Sequence, residues 1–479
     1  MELRDYQQQM IHDVRQALAE HRKVLLQSST GSGKTALAVY MISRSVARDK
    51  RCLFVVHQNE LIKQTSRALW EQKLEHGIIA SGRVRSPLPV QVASAQTLVN
   101  RLGDYKPFDL VIVDEAHRSA ANTHKRIIDY YSDALIVGLT ATPQRTDGKG
   151  LRGQYDHLVC GPSIRSLIEA GWLADYELFA PPIEVDLSDV KTTAGDYNKG
   201  ELSRVMDKPK ITGDAVEHYR SLANGKRCVV MCAGVDHAEH VADMYRAAGI
   251  AADIIHGNQT DAERESRIDA LRRGELKVLT NAQLLIEGVD VPVIEVVQWL
   301  RPTQSLIVWK QGNGRGFRPK PDGGKLLVLD HVGNWQRHGM PDDEPEWSLD
   351  GRQKRKRGSD EPDIGLQSCK ACLKVFRSGV RVCPHCGAAV AFKEPRSLEV
   401  QDGELEKIEK AQESLTRRIE QGRASTIEEL VAIGYRRGMK NCAGWAAHVF
   451  AARSGRRAWP VEFNAARAAY IALRQQDAA

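Results

Sequence analysis

The chain has 479 residues, of which 42% are hydrophobic and 27% charged, the balance of an ordinary soluble globular protein; at roughly 100–200 residues per domain, about three domains are expected. A net charge of +7 and a pI of 8.8 suit a polyanionic partner without requiring one. No apolar run is longer than a strand, and the opening MELRDYQQQM has no basic stretch followed by an apolar core, so neither a membrane span nor a secretory signal is expected and the compartment is taken as cytoplasmic, with no membrane partner.

Short β-rich runs at 23–27, 51–56, 109–114 and 134–139 are expected to be buried parallel strands, with helical segments such as 58–76 between them. That alternation predicts a doubly wound α/β domain. Residues 181–212 are polar and irregular. A second series follows, with strands expected at 226–232, 251–255, 276–280, 293–300 and 325–330 and helices at 236–248 and 260–272, a second α/β lobe. The charged, Pro- and Gly-rich stretch 341–363 predicts a linker. A cysteine cluster comes next, and from about 400 the chain is expected to be helical, with Glu/Lys/Arg patterning at 404–420. No repeat at a fixed period is present, which argues against a solenoid.

After the first expected strand, residues 28–35 read Ser28-Ser29-Thr30-Gly31-Ser32-Gly33-Lys34-Thr35 and open a helix. A strand, a small-residue loop and a helix are the context a phosphate-binding P-loop needs: backbone N–H groups converge on the phosphates and the helix N-terminus adds positive potential. Lys34 would reach the β- and γ-phosphates of ATP and the Thr35 hydroxyl would bind Mg²⁺. Ser28 stands where the strict pattern has Gly. The bland alternative is a Gly/Ser turn that merely precedes Lys-Thr.

The expected strand at 109–113 ends in Asp114-Glu115-Ala116-His117. Acidic residues at the C-terminal end of a parallel strand lie where open α/β sheets bind ligands. Asp114 is placed to hold Mg²⁺ and Glu115 to orient and polarise the attacking water. Alone these four letters would fit a solvated acidic turn; following a P-loop, they point to a nucleotide-hydrolysing site.

These two sites and their surroundings resemble the superfamily 2 helicases over roughly residues 1–335. Leu3-Arg4-Asp5-Tyr6-Gln7 resembles the adenine-contacting element, with Gln7 as base reader beside Tyr6. The segment 55–65 and Ser94-Ala95-Gln96-Thr97 resemble the nucleic-acid-contacting motifs Ia and Ib. Thr140-Ala141-Thr142 resembles motif III, which with His117 would couple hydrolysis to strand movement. Glu287-Gly288-Val289-Asp290-Val291-Pro292 resembles motif V, with Gly288 and Asp290 near the nucleotide. Gln311-Gly312-Asn313-Gly314-Arg315-Gly316-Phe317-Arg318 resembles motif VI, in which Gln311 would face the nucleotide and Arg315 and Arg318 would be arginine fingers. The resemblance implies two tandem RecA-like lobes, at 1–175 and 176–340, closing on ATP and opening after hydrolysis while a strand crosses both. The DEAH spelling, the 256–266 segment and the motif V spelling look most like the DNA-repair and branch-migration group, including compact phage-encoded members. DNA is therefore favoured over RNA, with 3′-to-5′ movement the usual direction of the family.

Cys369-x2-Cys372 and Cys383-x2-Cys386 are separated by ten residues, and two such turns make a four-sulfur zinc site, favoured by the presence of two pairs over the alternative of a redox CxxC. His385 is taken as a non-ligand because four thiolates fill the site. The odd total of nine cysteines argues against a disulfide framework. The pattern resembles a zinc ribbon, expected at 367–392 after a linker at 341–366. Such a module can bind DNA, bind a protein partner or staple a small domain. In the helical region 400–479, Trp445, His448 and Phe450 among several arginines would either line DNA or bury the Trp face in a small bundle; the basic run 352–357 would touch phosphates or stay solvated. A double-strand translocase, an RNA helicase and a non-hydrolysing ATP-gated clamp are the alternatives to a DNA helicase. A monomer is expected.

Overall fold

The computed structural model describes residues 2–118, 122–145, 150–181, 190–193, 196–206, 209–282, 294–350, 365–390, 420, 424–439, 441–453 and 460–476. Motif V (Glu287, Gly288, Asp290), the basic run 352–357 and all but the last residue of the 404–420 patterning lie outside them. Two compact units are present, Met1–Phe392 and Lys393–Ala479.

The first lobe runs α1 (Asp5–Glu20), β1 (Lys23–Gln27), α2 (Lys34–Val46), β2 (Cys52–Val56), α3 (Asn59–Glu71), β3 (Gly77–Ile79), β4 (Val90–Ser94), α4 (Ala95–Leu98), β5 (Leu110–Val113), α5 (Asn122–Tyr130), β6 (Leu135–Thr140) and β7 (His157–Cys160), and is followed by α6 (Ile164–Glu169), whose Ile164 and Leu167 join the core of the second lobe. Among the described residues its strands form one seven-stranded parallel sheet in the order β3-β4-β2-β5-β6-β1-β7. Strands such as Cys52–Val56 and Leu110–Val113 are buried throughout, because helices cover both faces; hence they read as unbroken apolar runs rather than alternating ones.

The second lobe begins with β8 (Tyr176–Phe179), passes a small ribbon of β9 (Thr192–Thr193) and β10 (Asp196–Tyr197), and continues through α7 (Lys199–Met206), α8 (Pro209–Ala223), β11 (Cys228–Met231), α9 (Val235–Ala247), β12 (Ala252–Ile255), α10 (Asp261–Arg273), β13 (Val278–Asn281), β14 (Val296–Trp299), α11 (Leu306–Gly314), β15 (Leu326–Asp330) and α12 (Asn334–His338). Its described strands pair in parallel in the order β12-β13-β11-β14-β15-β8. Thr260 caps α10 through a capping box with Glu263, and Gly274 ends it at φ 78°. The architecture is the expected pair of RecA-like lobes.

Packing departs from or adds to the sequence reading in three places. β3, β4, β7 and β8 were not legible as strands; β4 carries a fully buried Gln91, tolerated because its amide donates to the carbonyls of Ser86 (3.1 Å) and Leu88 (2.8 Å). Residues 341–350 are not a free linker. Leu349 is 4% exposed in the core of the first lobe, and its carbonyl accepts from the N–H groups of Leu151 (2.7 Å) and Arg152 (3.0 Å). Asp342 accepts a short hydrogen bond from the Tyr176 hydroxyl, and Glu344 reaches Ser29. These acidic residues look solvated in one dimension because their partners lie more than a hundred residues away. The cysteine module, finally, is not a separate bead. Its antiparallel β16 (Leu366–Ser368) and β17 (Val375–Arg377) sit against the edge of the second sheet, where Ala180 N–H donates to the Leu373 carbonyl at 2.8 Å and Lys374 pairs with Glu177 at 2.9 Å. The module covers an edge strand that would otherwise offer unpaired backbone.

The C-terminal unit holds α13 (Ile427–Arg436), α14 (Cys442–Arg453) and α15 (Pro460–Gln476) around Leu430, Val431, Ala446, Ala447 and Ala466. Trp445 and Phe450 pack against this core, so the aromatic face serves the bundle. Among the described residues no helix is long and apolar enough to cross a membrane.

Candidate functional site

The strand order creates the first site. β5, β6 and β1 are neighbours, and all three run parallel, so their C-terminal ends bring Asp114-Glu115, Thr140 and the P-loop to one edge. Ser28 N–H donates to the Thr140 carbonyl at 2.8 Å, which ties the loop to motif III. The serines brace the loop from within: Ser28 Oγ and Ser32 Oγ are 2.5 Å apart, and Ser32 Oγ donates to the Ser29 carbonyl at 2.6 Å. Ser28 thus replaces glycine with a hydroxyl that shapes the loop. Gly33 caps α2 at φ 91°, and a Cβ there would lie 2.5 Å from Gln7 Nε2, so the position needs glycine on both counts.

Tyr6 and Gln7 act on the loop itself. The Tyr6 hydroxyl and Gln7 Nε2 both donate to the Ser32 carbonyl at 2.9 Å, while Gln7 Oε1 accepts from Arg4 N–H at 3.1 Å. Gln7 is 5% exposed. Gln7 thus braces the P-loop with one N–H and one lone pair of its amide, and each end keeps a second hydrogen-bonding position. Beside it the Arg4 guanidinium lies 4.5 Å from the Trp172 ring centroid and Tyr6 lies 6.0 Å from the same residue. Trp172 escaped sequence reading, since it belongs to no motif and reaches the site only through the lobe connection.

Lys34 Nζ donates to the Ser28 carbonyl at 3.3 Å, and Thr35 follows it in the first turn of α2. Its charge acts on both carboxyls opposite. Burial and the Glu115 charge push Asp114 up to about 6, against the pull of Lys34. Burial would raise Glu115 as well, but contact with His117 and the charges of Lys34 and Arg315 hold it well below the usual carboxylate range. Glu115 occupies the left-handed region at φ 47°, a strained conformation for a residue with a Cβ, and its side chain is only 14% exposed. His117 Nδ1 lies 3.3 Å from both Glu115 Oε2 and Thr140 Oγ1. Thr140 Oγ1 in turn donates to the Thr142 carbonyl at 3.0 Å and accepts from Thr142 N–H at 3.1 Å. A continuous polar chain thus links Glu115 to motif III.

The second lobe completes the site. The C-terminal end of α11 sits on the P-loop so closely that a Cβ on Gly314 would lie 2.5 Å from Thr30 Cβ. Arg315 follows directly and its charge reaches Glu115. Arg318 lies one turn on, in a buried setting that lowers its pKa. Gln311, one turn before Gly314, is 3% exposed, and neither atom of its amide has a hydrogen-bond partner among the described residues. Leaving such a group unpaired costs about 1–3 kcal/mol, which a bound polar ligand would offset. Glu344 was not foreseen: its carboxylate accepts from Ser29 Oγ and Ile164 N–H, both at 3.1 Å.

A second cleft, of about 1180 Å³, lies between the lobes. The two segments resembling motifs Ia and Ib both line it, through His57, Lys63, Gln96 and Thr97, and Asp261 and Arg264 face them from the second lobe. Gln96 Nε2 donates to the His57 carbonyl at 3.3 Å, joining the two segments.

In the cysteine module the sulfurs of Cys369 and Cys386 are 3.7 Å apart, those of Cys372 and Cys383 3.8 Å, and all four fall within 4.8 Å of one another. A tetrahedral zinc with bonds of about 2.3 Å needs sulfurs about 3.8 Å apart. Backbone N–H groups of Ala371 and His385 point at Cys369 and Cys383 sulfurs at 3.4 Å. The Cys372 N–H draws the Cys369 thiol down to about 7, whereas burial pushes Cys372 up to about 12. Four sulfurs this close cannot all ionise without a cation. The His385 ring packs edge-on against Phe376 at 6.2 Å.

Comparison with known proteins matches this division of labour. Residues 1–145 match the family of the type III restriction enzyme res subunit, and residues 208–320 the helicase conserved C-terminal domain. A 51.5 kDa protein of a Lactococcus phage is 30% identical over 389 residues, covering 81% of this chain and 82% of its own. The chain belongs to the superfamily 2 helicases. Members of this class are nucleic-acid-dependent ATPases. The DNA 3′-5′ helicase XPB of Mycobacterium tuberculosis is 28% identical, over 57% of this chain and 50% of its own. The ATP-dependent type ISP restriction-modification enzyme LlaBIII, solved bound to DNA, shares the fold at a TM-score of 0.51 and 18% identity, over 69% of this chain and 27% of that one. The chain thus spans about half the length of XPB and about a quarter of LlaBIII.

Proposed function

We propose that this chain is an ATP-driven motor that moves along or remodels DNA. The observation that carries the reading is the joint site: Lys34, Asp114 and Glu115 come from one lobe, and from the other Gly314 packs on the P-loop and the charge of Arg315 reaches Glu115. Such a site is complete only when the lobes are together, which makes lobe spacing depend on the nucleotide.

The P-loop N–H groups of residues 29–33 and Lys34 hold the phosphates. Thr35 and Asp114 hold Mg²⁺, which when bound neutralises phosphate charge. Glu115 orients and polarises the attacking water. Arg315 and Arg318 stabilise charge on the transferring group, and Gln311 supplies its amide. Glu115, His117, Thr140 and Thr142 pass the state of the site to motif III. Tyr6 and Gln7 set the loop and Trp172 and Arg4 wall the base side, while Gly288 and Asp290 keep the nucleotide-side role that their motif implies. The second cleft is the nucleic-acid path. DNA rather than RNA is favoured because the relatives are a DNA helicase and restriction enzymes. Movement is 3′-to-5′, as the resemblance implies, and a single chain carries the whole ATP site, so a monomer suffices.

Turnover of ATP measured at fixed salt tests the reading. Single-stranded or branched DNA is expected to stimulate it strongly and RNA little. Stimulation by RNA alone would make the chain an RNA helicase, stimulation without strand separation a duplex translocase, and no turnover with any nucleic acid an ATP-gated clamp.

We further assign one zinc ion to Cys369, Cys372, Cys383 and Cys386. Metal analysis of the purified chain is expected to find about one zinc per chain, lost on Cys383→Ser. Metal-free protein with intact folding would overturn the assignment. Because the module covers the β8 edge, zinc loss is also expected to lower the melting temperature of the lobes.

A further inference from the structure

The chain crosses between the lobes twice. It leaves the first lobe after β7 through α6, and it returns after α12 along residues 341–349. On the second-lobe side this returning strap is pinned closely. The buried Lys310 ammonium of α11 donates to the carbonyls of Pro341, at 3.2 Å, and of Asp343. Asp342 accepts from the Tyr176 hydroxyl and pairs with Arg165. On the first-lobe side Leu349 is buried in the core. Pro341 and Pro345 stiffen the strap, and Pro345 biases the residue before it, Glu344, toward an extended backbone. Glu344 stands between the two anchors and is half-buried. One of its oxygens, Oε1, accepts from the Ser29 hydroxyl and from the Ile164 N–H, both at 3.1 Å; the Pro162 carbonyl lies farther from Ser29 Oγ, at 3.5 Å. Ser29 belongs to the phosphate loop and is 3% exposed. Its carbonyl accepts from Ser32 N–H at 3.1 Å and from Ser32 Oγ at 2.6 Å, so its backbone closes the loop while its side chain is gripped from the strap.

We infer that Glu344 is a positioning residue for the phosphate loop, presented by the second lobe: through Ser29 it fixes the conformation of residues 29–32 while the lobes are together and frees it when they part. The inference rests on this loop being the ATP site. An acid would be a poor neighbour for phosphate if it occupied the cradle itself. The two hydrogen bonds of Glu344 go instead to a loop hydroxyl and to the start of α6, which leaves the loop's own N–H groups to the phosphates. A charged acceptor makes the stronger kind of hydrogen bond, and here it acts across 315 positions of chain. A loop whose N–H groups are already aimed loses less freedom when phosphates bind, so the order imposed by Glu344 is expressed as nucleotide affinity. Affinity then depends on contact between the lobes by a route separate from Arg315, whose charge acts on Glu115. The structural alternative is that Glu344 merely caps α6, which would leave the loop unmoved on its loss.

The test is equilibrium binding of fluorescent mant-ATP with Mg²⁺, without nucleic acid, alongside hydrogen exchange of the nucleotide-free chain. Glu344→Ala is expected to weaken binding at least about fivefold, somewhat less than loss of a fully buried hydrogen bond to a charged group would give. Amides of residues 29–33 should exchange faster in it. Glu344→Gln should match the parent in both readouts, because its amide oxygen can accept from both donors. Ser29→Ala breaks the same contact from the loop side. The double variant Ser29→Ala/Glu344→Ala should therefore bind no more weakly than the more impaired single variant. Parent-like binding and loop exchange in a folded Glu344→Ala, a Glu344→Gln as impaired as the alanine variant, additive losses in the double variant, or tighter binding in any of them would each overturn the positioning role while leaving the ATP site intact. A parent that binds no mant-ATP would overturn the ATP site and the positioning role together.

Discussion

Glu115→Gln is expected to leave ATP bound and nearly stop its turnover. The amide keeps the volume of the carboxylate, so the strained turn at φ 47° and the packing against His117 survive. What is lost is the negative charge, which the surroundings are built to keep: contact with His117 and the charges of Lys34 and Arg315 hold Glu115 ionised despite its burial. A neutral amide cannot polarise water or take a proton from it. The expected fall in kcat is about 10²–10⁴-fold, the range for loss of a positioned general base. The dissociation constant for a fluorescent ATP analogue should change only a few-fold, since the P-loop and Lys34 are untouched. Single-turnover hydrolysis and equilibrium binding check the two halves separately. Unimpaired hydrolysis would remove Glu115 from the role.

Arg315→Ala should cost as much for a different reason. Its guanidinium comes from the other lobe and reaches Glu115 only because Gly314 packs against Thr30. An arginine so placed acts on charge that develops during phosphoryl transfer, so its removal is expected to lower kcat on the order of 10³-fold or more with little change in ATP affinity. Saturating DNA should not restore the rate, because no closure of the lobes can supply the missing charge. Arg315→Lys should recover little, since an ammonium lacks the planar fork. Turnover within a few-fold of the parent in Arg315→Ala would mean that the second lobe does not complete the site. That outcome would count against the two-lobe motor far more heavily than any failure in the DNA cleft.

The parts of this site legible in the sequence are those whose chemistry is contiguous. The P-loop needs small residues and a lysine at fixed spacing between a strand and a helix, because the phosphate cradle is made of consecutive backbone N–H groups. Asp114-Glu115 is readable because the end of a parallel strand is itself the site. The four cysteines are readable because each pair chelates within one turn. Motif VI is legible by resemblance, but that the Arg315 charge falls on Glu115, 200 positions away, is something no spacing encodes.

Gln7 shows where the two kinds of information part. Its position is marked by the sequence; its hydrogen bonds are decided by where α1 lies against the loop, and through them it also braces that loop. Glu344 and Leu349 fell in a stretch whose Pro, Asp and Glu content reads as solvated chain. They are ordered by Ser29, Ile164 and Leu151, partners at least 180 residues distant along the chain, and composition is blind to partners of that kind. The ion pairs of α3 with α10, Glu60 with Arg264 and Lys63 with Asp261, are equally invisible, since each helix alone shows only an ordinary mix of surface charges.

The sequence by itself therefore determined the chemistry: a phosphate loop, an acidic pair, candidate arginines and a four-thiol cluster, each set by short-range backbone geometry and side-chain type. The tertiary structure decided the adjacency of β5, β6 and β1, the seating of Gly314 on the P-loop with Arg315 beside it, the ordering of 341–350 and the cysteine module on the sheet edge. Local motifs are fixed by bonds and dihedrals within a few residues. Which motifs meet is fixed by burying two sheets and their helices together, a property of the whole chain that no single segment carries.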